Sequence, residues 1–244
     1  MRILGIIPAR FGSSRFPGKP LIDLKGKTMV RRVTEGAQRS LMLTDLVVAT
    51  DDERIADEVA SFGGNVMMTA TDHPTGTDRC AEVLRNWQEH IDVVINIQGD
   101  EPLVNPHQLD QLLSAFEDPK VQIATLASRN ISMEDLNNPN RIKLVVDRDH
   151  NALYFSRSAV PNFANAKADP LEMYPYLRHI GLYAYRAEVL EQISHLEPTT
   201  LEMTESLEQL RWLFHGYKIK VVETEIETPN IDTPEDVGKV LEFL

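Results

Sequence analysis

Apolar and polar positions along the chain fall into blocks, and the apolar blocks have the length of buried β-strands. Four of these blocks cover residues 3–7, 46–50, 65–69 and 93–97, and we expect the first strand to stop at Pro8. Short apolar runs bounded by turn formers are typical of strands that are covered on both faces. The pattern therefore predicts four buried strands in the first hundred residues.

Segments with helical periodicity lie between these runs, at residues 28–40, 54–62 and 79–89. Asp51-Asp52-Glu53 places negative charge at the start of the second segment, where it favours a helix N-terminus. Gly63-Gly64 follows the same segment, as glycine often does at a helix C-terminus. Strands that alternate with helices at these lengths predict an α/β fold with a doubly wound, mostly parallel sheet.

The middle of the chain has a different pattern, in which short apolar runs are separated by polar loops that contain prolines. The runs cover residues 121–127, 143–147, 152–155 and 180–185. They indicate a mixed or antiparallel extension of the sheet rather than another β-α-β unit. We therefore expect a single domain over residues 1–244, with 121–186 as a smaller extension.

The rest of the chain alternates again. Residues 161–175 contain three prolines and few β formers, which predicts a long irregular loop of a kind that is usually functional or interfacial. Helices are predicted at 187–195 and 204–214, and a strand at 218–224. A last helix follows Pro234, because Thr233 or Asp232 can serve as its N-cap.

Composition narrows the class of partner. The net formal charge of −12 leaves no basic face that could neutralise many phosphates, so we expect no nucleic-acid partner. The single cysteine, Cys80, excludes an internal disulfide and fits a reducing cytoplasm; we expect it to be a buried residue. We expect no membrane partner, because no apolar run reaches spanning length and the N-terminus opens with a strand.

A basic loop after the first strand stands out against this acidic composition. Arg10, Arg15 and Lys19 lie within ten residues, among Gly12, Ser13, Ser14 and Gly18. Ligands of α/β folds bind beyond the carboxyl ends of the strands, and backbone N–H groups with fixed cations favour polyphosphates there. The loop matches neither common glycine-rich phosphate motif. It predicts a polyphosphate cradle, with a solvated basic loop as the alternative.

The fourth strand ends in Gln98-Gly99-Asp100, which is a second candidate for chemistry. A carboxylate directly after a buried strand can hold a divalent ion against a phosphate, and magnesium needs only one or two protein carboxylates. Alternatively, Asp100 is the N-cap of a helix that starts near His107. Gln98 could bind a base edge or merely satisfy a turn. Asp232 is a helix cap or, if it folds back beside Asp100, a second metal ligand.

Together these segments resemble one known family, the 3-deoxy-manno-octulosonate (Kdo) cytidylyltransferases or CMP-Kdo synthetases. The resemblance rests on I-P-A-R-F-G-S-S-R-F-P-G-K-P-L, V-A-T-D-D-E-R-I-A, T-D-H-P-T-G-T-D-R, N-I-Q-G-D-E-P-L, A-L-Y-F-S-R-S, L-R-H-I-G-L-Y-A-Y-R, E-S-L-E-Q-L-R and I-D-T-P-E-D, in this order from Ile6 to Asp236. It implies a fold of the nucleotide-diphospho-sugar transferase type. It also implies the reaction CTP + Kdo → CMP-Kdo + pyrophosphate with Mg²⁺, in a cytoplasmic homodimer that supplies lipopolysaccharide synthesis.

The resemblance also implies roles for individual residues. Phosphate binding and catalysis would fall to Arg10, Arg15, Lys19 and Asp100, and metal binding to Asp100 and Asp232. The nucleotide-binding set would be Pro8, Ala9, Arg10, Ser14, Lys19, Thr75, Gly76, Thr77, Arg79 and Gln98. The sugar-binding set would be Arg157, His179, Tyr183, Glu208 and Gln209, with Arg157 as partner of the sugar carboxylate. The region 160–186 resembles the dimerisation region of the family.

Two departures from the family pattern leave the identity of the sugar substrate open. Pro229-Asn230 replaces a glycine that usually precedes this motif, and residues 162–171 do not follow the family wording. The 8-amino analogue of Kdo is an alternative substrate, for which Glu172, Glu202 and Glu205 are candidate partners of the amine. Two further alternatives are a cytidylyltransferase for another acid sugar, such as a nonulosonate, and a non-catalytic nucleotide-binding module.

Overall fold

The computed structural model describes residues 1–12 and 16–244. Across these residues, nine strands form one sheet, whose main path has the order β3-β2-β1-β4-β8-β5-β9. The strands are β1 (Ile3–Ala9), β2 (Asp45–Thr50), β3 (Val66–Met68), β4 (Val93–Asn96), β5 (Ile123–Ser128), β6 (Lys143–Val146), β7 (Ala152–Ser156), β8 (Leu177–Arg186) and β9 (Ile219–Glu223). Four of the six pairings along the main path are parallel, which confirms the predicted fold class.

Helices cover both faces of this sheet. They are α1 (Met29–Ala37), α2 (Glu53–Ser61), α3 (Gly76–Asn86), α4 (Pro106–Ser114), α5 (Met133–Asn137), α6 (Pro170–Met173), α7 (Ala187–Ser194), α8 (Thr200–Glu205), α9 (Gln209–Phe214) and α10 (Pro234–Leu241). Two apolar cores result. Ile3 and Ile7 of β1 face the core with α1, α2, α4 and α10, and Leu4 and Ile6 face the core with α3, α7 and α9. Side chains alternate between the faces of a strand, so β1 contributes to both cores.

The two ends of α2, in the first half of the chain, agree with the sequence predictions. Asp52 caps α2 by accepting a hydrogen bond from the Arg54 N–H at 3.0 Å. Gly63 follows α2 at φ +77°, and the N–H of Gly64 donates to the Val59 carbonyl at 3.0 Å. The acidic run is thus helix N-terminal charge, and the glycine pair ends the helix, because a left-handed residue there lets the chain satisfy the last carbonyls.

The first strand is longer than predicted, since β1 continues through Pro8 to Ala9. Ile6 accepts a hydrogen bond from the Ile97 N–H at 2.8 Å, so Pro8, two residues further on, faces the same side. Strand β4 has already ended at Asn96 on that side. The missing N–H of Pro8 therefore costs no ladder hydrogen bond, and the strand tolerates it.

The middle of the chain forms the predicted mixed arrangement. Strands β5 and β8 are antiparallel neighbours within the main sheet, and β6 and β7 form a hairpin that pairs with the start of β8. The hairpin turns between Asp147 and Asn151, where the Asp147 N–H donates to the Asn151 carbonyl at 2.9 Å. Residues 161–175 are irregular except for α6, a single short helix that begins with Pro170 at its first position.

The predicted helix 204–214 is wrong, because the structure has two helices there. Ser206 has φ +52°, a left-handed conformation that ends α8 before α9 begins. The predicted start of α3 is also late: Thr75 caps this helix, which therefore begins at Gly76. Within the described residues, no helix is long and apolar enough to cross a membrane.

Candidate active site

The two predicted functional segments meet at one edge of the sheet, beyond the carboxyl ends of β1 and β4. These strands are parallel neighbours, so Pro8 and Ala9 end β1 beside Gln98-Gly99-Asp100, which follows β4. Gly99 permits the approach: a Cβ at this position would lie 2.7 Å from the carbonyl oxygen of Pro8. A side chain at Gly99 would therefore push the carboxylate segment away from the first loop.

The basic loop closes on itself between Phe11 and Gly18. The Gly18 N–H donates to the Phe11 carbonyl at 2.9 Å, and Gly18 has φ +74°. Arg10 is exposed at the mouth of the loop. The predictions for Ser14 and Arg15 fall on residues that the structure does not describe.

Lys19 joins three distant parts of the chain. Its Nζ donates to Asp100 Oδ2 at 2.9 Å and to the Ile231 carbonyl at 2.8 Å, and the Ile231 N–H donates to the Asp100 carbonyl at 2.9 Å. The Lys19 and Asp100 side chains are only 14% and 26% exposed, so solvent screens this pair weakly. We call these residues with Asp232 the Lys19 junction.

The two carboxylates proposed for metal binding do not cap helices. Asn105 caps α4, and Thr233 caps α10 in a reciprocal pair with Asp236. The capping alternatives for Asp100 and Asp232 are therefore wrong. Asp232 directly follows Ile231, whose backbone is bonded to Asp100, so both acidic residues belong to the junction.

The donor set of the junction fits a hard divalent cation. Carboxylate oxygens are the ligands that magnesium prefers, and one or two of them suffice when phosphate oxygens and water complete the shell. Among the described residues, no group of three or more His, Cys, Asp and Glu side chains could hold a metal ion by protein ligands alone. Asp100 and Asp232 are thus the residues that would hold Mg²⁺ beside a bound phosphate.

A cavity of about 160 Å³ opens beside the end of β1 and the start of α3. Its lining residues are Pro8, Ala9, Arg10, His73, Pro74, Thr75, Gly76 and Arg79. Six of these belong to the predicted nucleotide-binding set, so the structure brings them together. Arg79 is itself buried, and its guanidinium donates to Asp51 Oδ2 at 3.1 Å and to the Thr69 hydroxyl. Arg79 therefore stabilises the cavity wall, and its charge is already paired with that of Asp51.

A second cavity of about 180 Å³ adjoins the first. Its lining residues are Pro8, Gly76, Thr77, Asn96, Gln98, Gly99, Gly181, Tyr183, Tyr185 and Glu208. Gln98 closes one side, because its amide Nε2 donates to the Gly181 carbonyl at 2.7 Å. The Thr77 hydroxyl donates to Glu208 Oε2 at 2.9 Å. Burial of the Glu208 carboxyl raises its pKa to about 7, so the carboxyl is about half protonated near neutral pH.

Two tyrosine hydroxyls in this cavity lack a partner. Tyr183 and Tyr185 are both buried, and neither hydroxyl has a hydrogen-bond partner within the part of the chain that the structure describes. Both rings pack edge-on against Trp212, with centroid separations of 5.2 and 5.5 Å. Buried polar groups in native proteins nearly always have partners, so these hydroxyls indicate a ligand or water with hydrogen-bonding groups.

Tyr185 was missed by the sequence analysis. The signal was its position two residues after Tyr183 in β8, because residues two apart in a strand lie on the same face. Tyr183 and Glu208 were predicted for the sugar and do line this cavity. Gln98 and Thr77, which were predicted for the nucleotide, also line this cavity and do not line the first one.

The other predicted sugar-binding residues lie elsewhere. His179 lines a different cavity of about 700 Å³, and its Nε2 donates to the Thr125 hydroxyl at 3.0 Å, which in turn donates to the Leu182 carbonyl at 2.9 Å. Burial lowers the His179 pKa to about 3, so this ring is neutral. Gln209 is buried at the start of α9, outside the residues described as lining either cavity.

Arg157 also lies apart from the cavity with Glu208. Its guanidinium donates to three backbone carbonyls, those of Pro139, Glu205 and Ser206. Of the five residues predicted to bind the sugar, the structure thus brings Tyr183 and Glu208 into one cavity. Arg157, His179 and Gln209 are not among the residues that line this cavity.

Comparisons with known proteins agree with this geometry. A family profile described as Cytidylyltransferase matches residues 4–219. The 3-deoxy-manno-octulosonate cytidylyltransferase of Bacteroides thetaiotaomicron is 53% identical, over 100% of this chain and 98% of its own length. The enzyme of the same name from Syntrophobacter fumaroxidans is 50% identical, over 100% and 97%.

A solved structure supports the same assignment. The structure of CMP:2-keto-3-deoxy-manno-octonic acid synthetase complexed with CTP has a TM-score of 0.93 and 42% identity, and the match covers 100% of this chain and 98% of that one. The resemblance seen in the sequence motifs is thereby confirmed. The chain belongs to the family of 3-deoxy-manno-octulosonate cytidylyltransferases.

Proposed function

We propose that this protein transfers CMP from CTP to Kdo and releases pyrophosphate. The observation that carries the proposal is that the two cavities share Pro8 and Gly76 as lining residues. A nucleotide in the first cavity and a sugar in the second would meet across these two residues. The Lys19 junction lies at the same edge of the sheet, where the phosphates of such a nucleotide would be.

The reaction requires the anomeric hydroxyl of the sugar to attack the α-phosphorus of CTP while pyrophosphate leaves in line. The protein contributes positioning and charge stabilisation, and no covalent intermediate is needed. Arg10 and Lys19 supply fixed positive charge, with Arg15 proposed for the same role from the sequence. Asp100 and Asp232 would hold Mg²⁺, which when bound supplies Lewis-acid stabilisation of the phosphate oxygens.

The sugar cavity favours a hydroxylated ligand. Its polar lining groups include the hydroxyls of Tyr183 and Tyr185 and the carboxyl of Glu208, whose protonated form can both donate and accept. Such a set suits the secondary hydroxyls of an octulosonate. Tyr183, Tyr185 and Glu208 are therefore the residues that we propose for contact with the sugar ring.

Kdo is the sugar that we propose, in preference to its 8-amino analogue. Two of the glutamates considered for the amine already have partners. Glu202 forms a bidentate pair with Arg211 at 2.6 and 2.7 Å, and Glu205 accepts hydrogen bonds from the Ser156 hydroxyl and the Arg157 N–H. Glu172 lies on the surface in α6. An ammonium group would have to displace one of these contacts or bind at the surface.

Assembly and location are part of the same proposal. We propose a homodimer in which residues 160–186 contribute to the interface, on the basis of the family resemblance of this segment. We also propose a cytoplasmic enzyme, which is consistent with Cys80 as a single buried thiol. Size-exclusion chromatography with light scattering tests the dimer directly.

Pyrophosphate release tests the function. The purified protein is incubated with CTP and Mg²⁺ together with Kdo, 8-amino-Kdo or a sialic acid. We expect turnover with Kdo, less with the amino sugar, none with the sialic acid, and loss of turnover when EDTA removes the metal. Turnover with the sialic acid alone would favour the nonulosonate alternative. If none of the three sugars led to pyrophosphate release, a non-catalytic nucleotide-binding module would be favoured.

A further inference from the structure

Part of the wall of the first cavity comes from an irregular stretch between β3 and α3. We call residues 70–74 of this stretch the cavity loop. Its two ends are anchored to regular structure, because the Thr69 N–H donates to the Thr50 carbonyl at 2.8 Å and Thr75 caps α3. The position of the loop between these anchors depends on other contacts.

The cavity loop makes no backbone–backbone hydrogen bond with any residue that the structure describes. The hydrogen bonds that it does make within this part of the chain both go to one side-chain oxygen. The Ala70 N–H donates to Glu82 Oε2 at 2.9 Å, and the Nε2 of His73 bonds the same oxygen. Glu82 belongs to α3, so a single carboxylate ties the cavity loop to that helix.

The Glu82 carboxylate is well suited to hold these two donors. The Glu82 and His73 side chains are only 22% and 14% exposed, so solvent screens their contact weakly. Burial alone would raise the pKa of the Glu82 carboxyl, but the hydrogen bonds from His73 and the Ala70 N–H keep this pKa below its usual value. Because a carboxylate has no proton to give, Nε2 of His73 is the donor in this pair.

Glu82 itself lines neither of the two cavities, whereas His73 lines the first one. On the opposite side of that cavity are Pro8 and Ala9, which are fixed by the pairing of β1 with β2. One side of the cavity therefore belongs to the sheet, and the other side is held in place by Glu82. Loss of the Glu82 carboxylate would free the cavity loop to move relative to β1.

We propose that Glu82 is a positioning residue for the nucleotide, which sets the distance between the cavity loop and the end of β1 and thereby the fit of the nucleoside part of CTP. The inference rests on the proposed function, which assigns the first cavity to the nucleotide. The Lys19 junction shares no residue with the cavity loop. Binding of the phosphates is therefore expected to be independent of Glu82.

Calorimetric titration of the full-length protein with CTP and Mg²⁺ tests the proposal directly. Glu82→Met removes both acceptor oxygens, and we expect the Kd for CTP to rise about tenfold, as loss of hydrogen bonds to a charged group would give. Glu82→Gln keeps one acceptor oxygen, so its rise should be smaller, about threefold. Inorganic triphosphate, which probes the phosphate side alone, should bind all three proteins equally. An unchanged Kd for CTP in Glu82→Met, or an equal loss for inorganic triphosphate, would overturn the proposal.

Steady-state kinetics give a second readout, which general damage to the fold would not reproduce. In Glu82→Met the KM for CTP should rise about tenfold, while kcat and the KM for Kdo stay within about twofold, because one lost positioning contact affects one ligand. A fall in kcat with an unchanged KM for CTP would contradict a role in nucleotide fit.

A double-mutant cycle tests whether Glu82 acts through the cavity loop. The variants are Glu82→Met, His73→Leu and the double variant, and the readout is the Kd for CTP. The rise in the double variant should be smaller than the product of the two single rises, because both changes remove the same contact. Multiplicative rises would mean that Glu82 affects CTP independently of His73, and the proposed route would be wrong.

Hydrogen exchange of the nucleotide-free protein reports on the loop itself. Peptides that cover residues 70–74 should exchange faster in Glu82→Met than in wild type, because the Ala70 N–H has lost its acceptor. Peptides from β1 and β2 should exchange at the wild-type rate. Equal exchange of the cavity loop in both proteins would refute the positioning role. If Glu82→Met does not fold, Glu82→Gln takes its place in each measurement, with the smaller effect expected.

A matched control and the wild type separate this proposal from the proposed function. Glu191→Met removes another carboxylate that binds α3, through Arg85 at 3.1 Å, but Glu191 lines neither cavity. Its Kd for CTP should equal that of wild type. If wild type binds CTP but releases no pyrophosphate with Kdo, the proposed function fails and the test of Glu82 still stands. If wild type turns over and Glu82→Met binds CTP as tightly as wild type does, only the role of Glu82 fails.

Discussion

The phosphate side and the sugar side of the site are built in opposite ways. The proposed phosphate side consists of charged groups on loops, where Arg10 is exposed and the largely buried Lys19 bridges Asp100 to Ile231. The sugar side consists of groups buried beneath the sheet edge, where Tyr185 and Glu208 face a small cavity. The phosphate side would therefore bind its ligand mainly through charge, and the sugar side mainly through buried polar contacts.

This difference indicates which kind of interaction each side would use to bind its ligand. Charges act over several ångströms but are weakened by water and salt where they are exposed, so we expect several of them to act together on a phosphate. Buried polar groups act only at contact, but an unsatisfied one costs free energy until a ligand arrives. Under the proposed function, we therefore expect the sugar side to discriminate between sugars and the phosphate side to determine the rate.

The largest effect is expected from Asp100→Asn. Loss of one carboxylate removes a proposed metal ligand and leaves Lys19 without its charge partner, so we expect kcat to fall by about 100-fold or more. CTP affinity in calorimetry should be largely retained. Asp149→Asn, on an exposed hairpin turn, is the matched control. Normal turnover of Asp100→Asn would contradict the role of charge on the phosphate side.

A smaller effect is expected from Glu208→Gln, which should change how the stability of the fold depends on pH. Because burial raises the Glu208 pKa from 4.5 to about 7, the folded state holds a proton that the unfolded state releases between these values. This contribution to stability is lost as the pH rises from about 4.5 to about 7. The unfolding temperature of Glu208→Gln should therefore improve relative to wild type between pH 5 and pH 8. A constant difference over this range would mean that Glu208 is ionised in the fold.

Tyr185→Phe should separate binding from stability. The Tyr185 hydroxyl has no partner among the described residues, so its removal should not lower the unfolding temperature. The KM for Kdo should nevertheless rise by about threefold to tenfold, because a ligand contact is lost. Tyr217→Phe removes a hydroxyl that donates to Gln192 Oε1 at 3.1 Å, outside the cavity lining, and should leave the KM unchanged. A loss of stability without a change in KM would make Tyr185 an ordinary core residue.

The smallest effect is expected from Cys80. This thiol is fully buried behind the sugar cavity, and burial raises its pKa well above the usual value. Cys80→Ala should leave kcat and KM within about twofold and lower the free energy of unfolding by about 1 kcal/mol. Iodoacetamide should modify the native protein only as it unfolds. Rapid modification with loss of activity would show that the cavity opens in the native state.

The two sides also differ in how far the sequence predicted them. The phosphate side was predictable because its residues follow strand ends directly, and parallel strands bring such ends together. Whether Asp232 folds back beside Asp100 was left open, and a contact 212 residues apart in sequence, from Lys19 to Ile231, brings the residue before Asp232 to the junction. Sequence spacing contains no information about a backbone carbonyl at that distance.

The sugar side was predicted through family resemblance and only in part. Tyr183 and Glu208 line the second cavity, whereas Arg157 is not among its lining residues. The Arg157 guanidinium bonds three backbone carbonyls, and backbone acceptors leave no trace in residue identity. The split of α8 from α9 at Ser206 was missed for a related reason, since a left-handed serine is stabilised by tertiary contacts and not by its own preference.

The Lys19 junction has a consequence for the growing chain. Lys19 and Asp100 leave the ribosome long before Ile231, whose carbonyl and N–H complete the junction. Synthesis proceeds from the N-terminus, so the sheet edge that bears the basic loop emerges without its last partner. A nascent chain that lacks α10 and the segment before it therefore has the loop but not the finished site. Lys19 and Asp100 therefore acquire their shared backbone partner only after Ile231 has been synthesised.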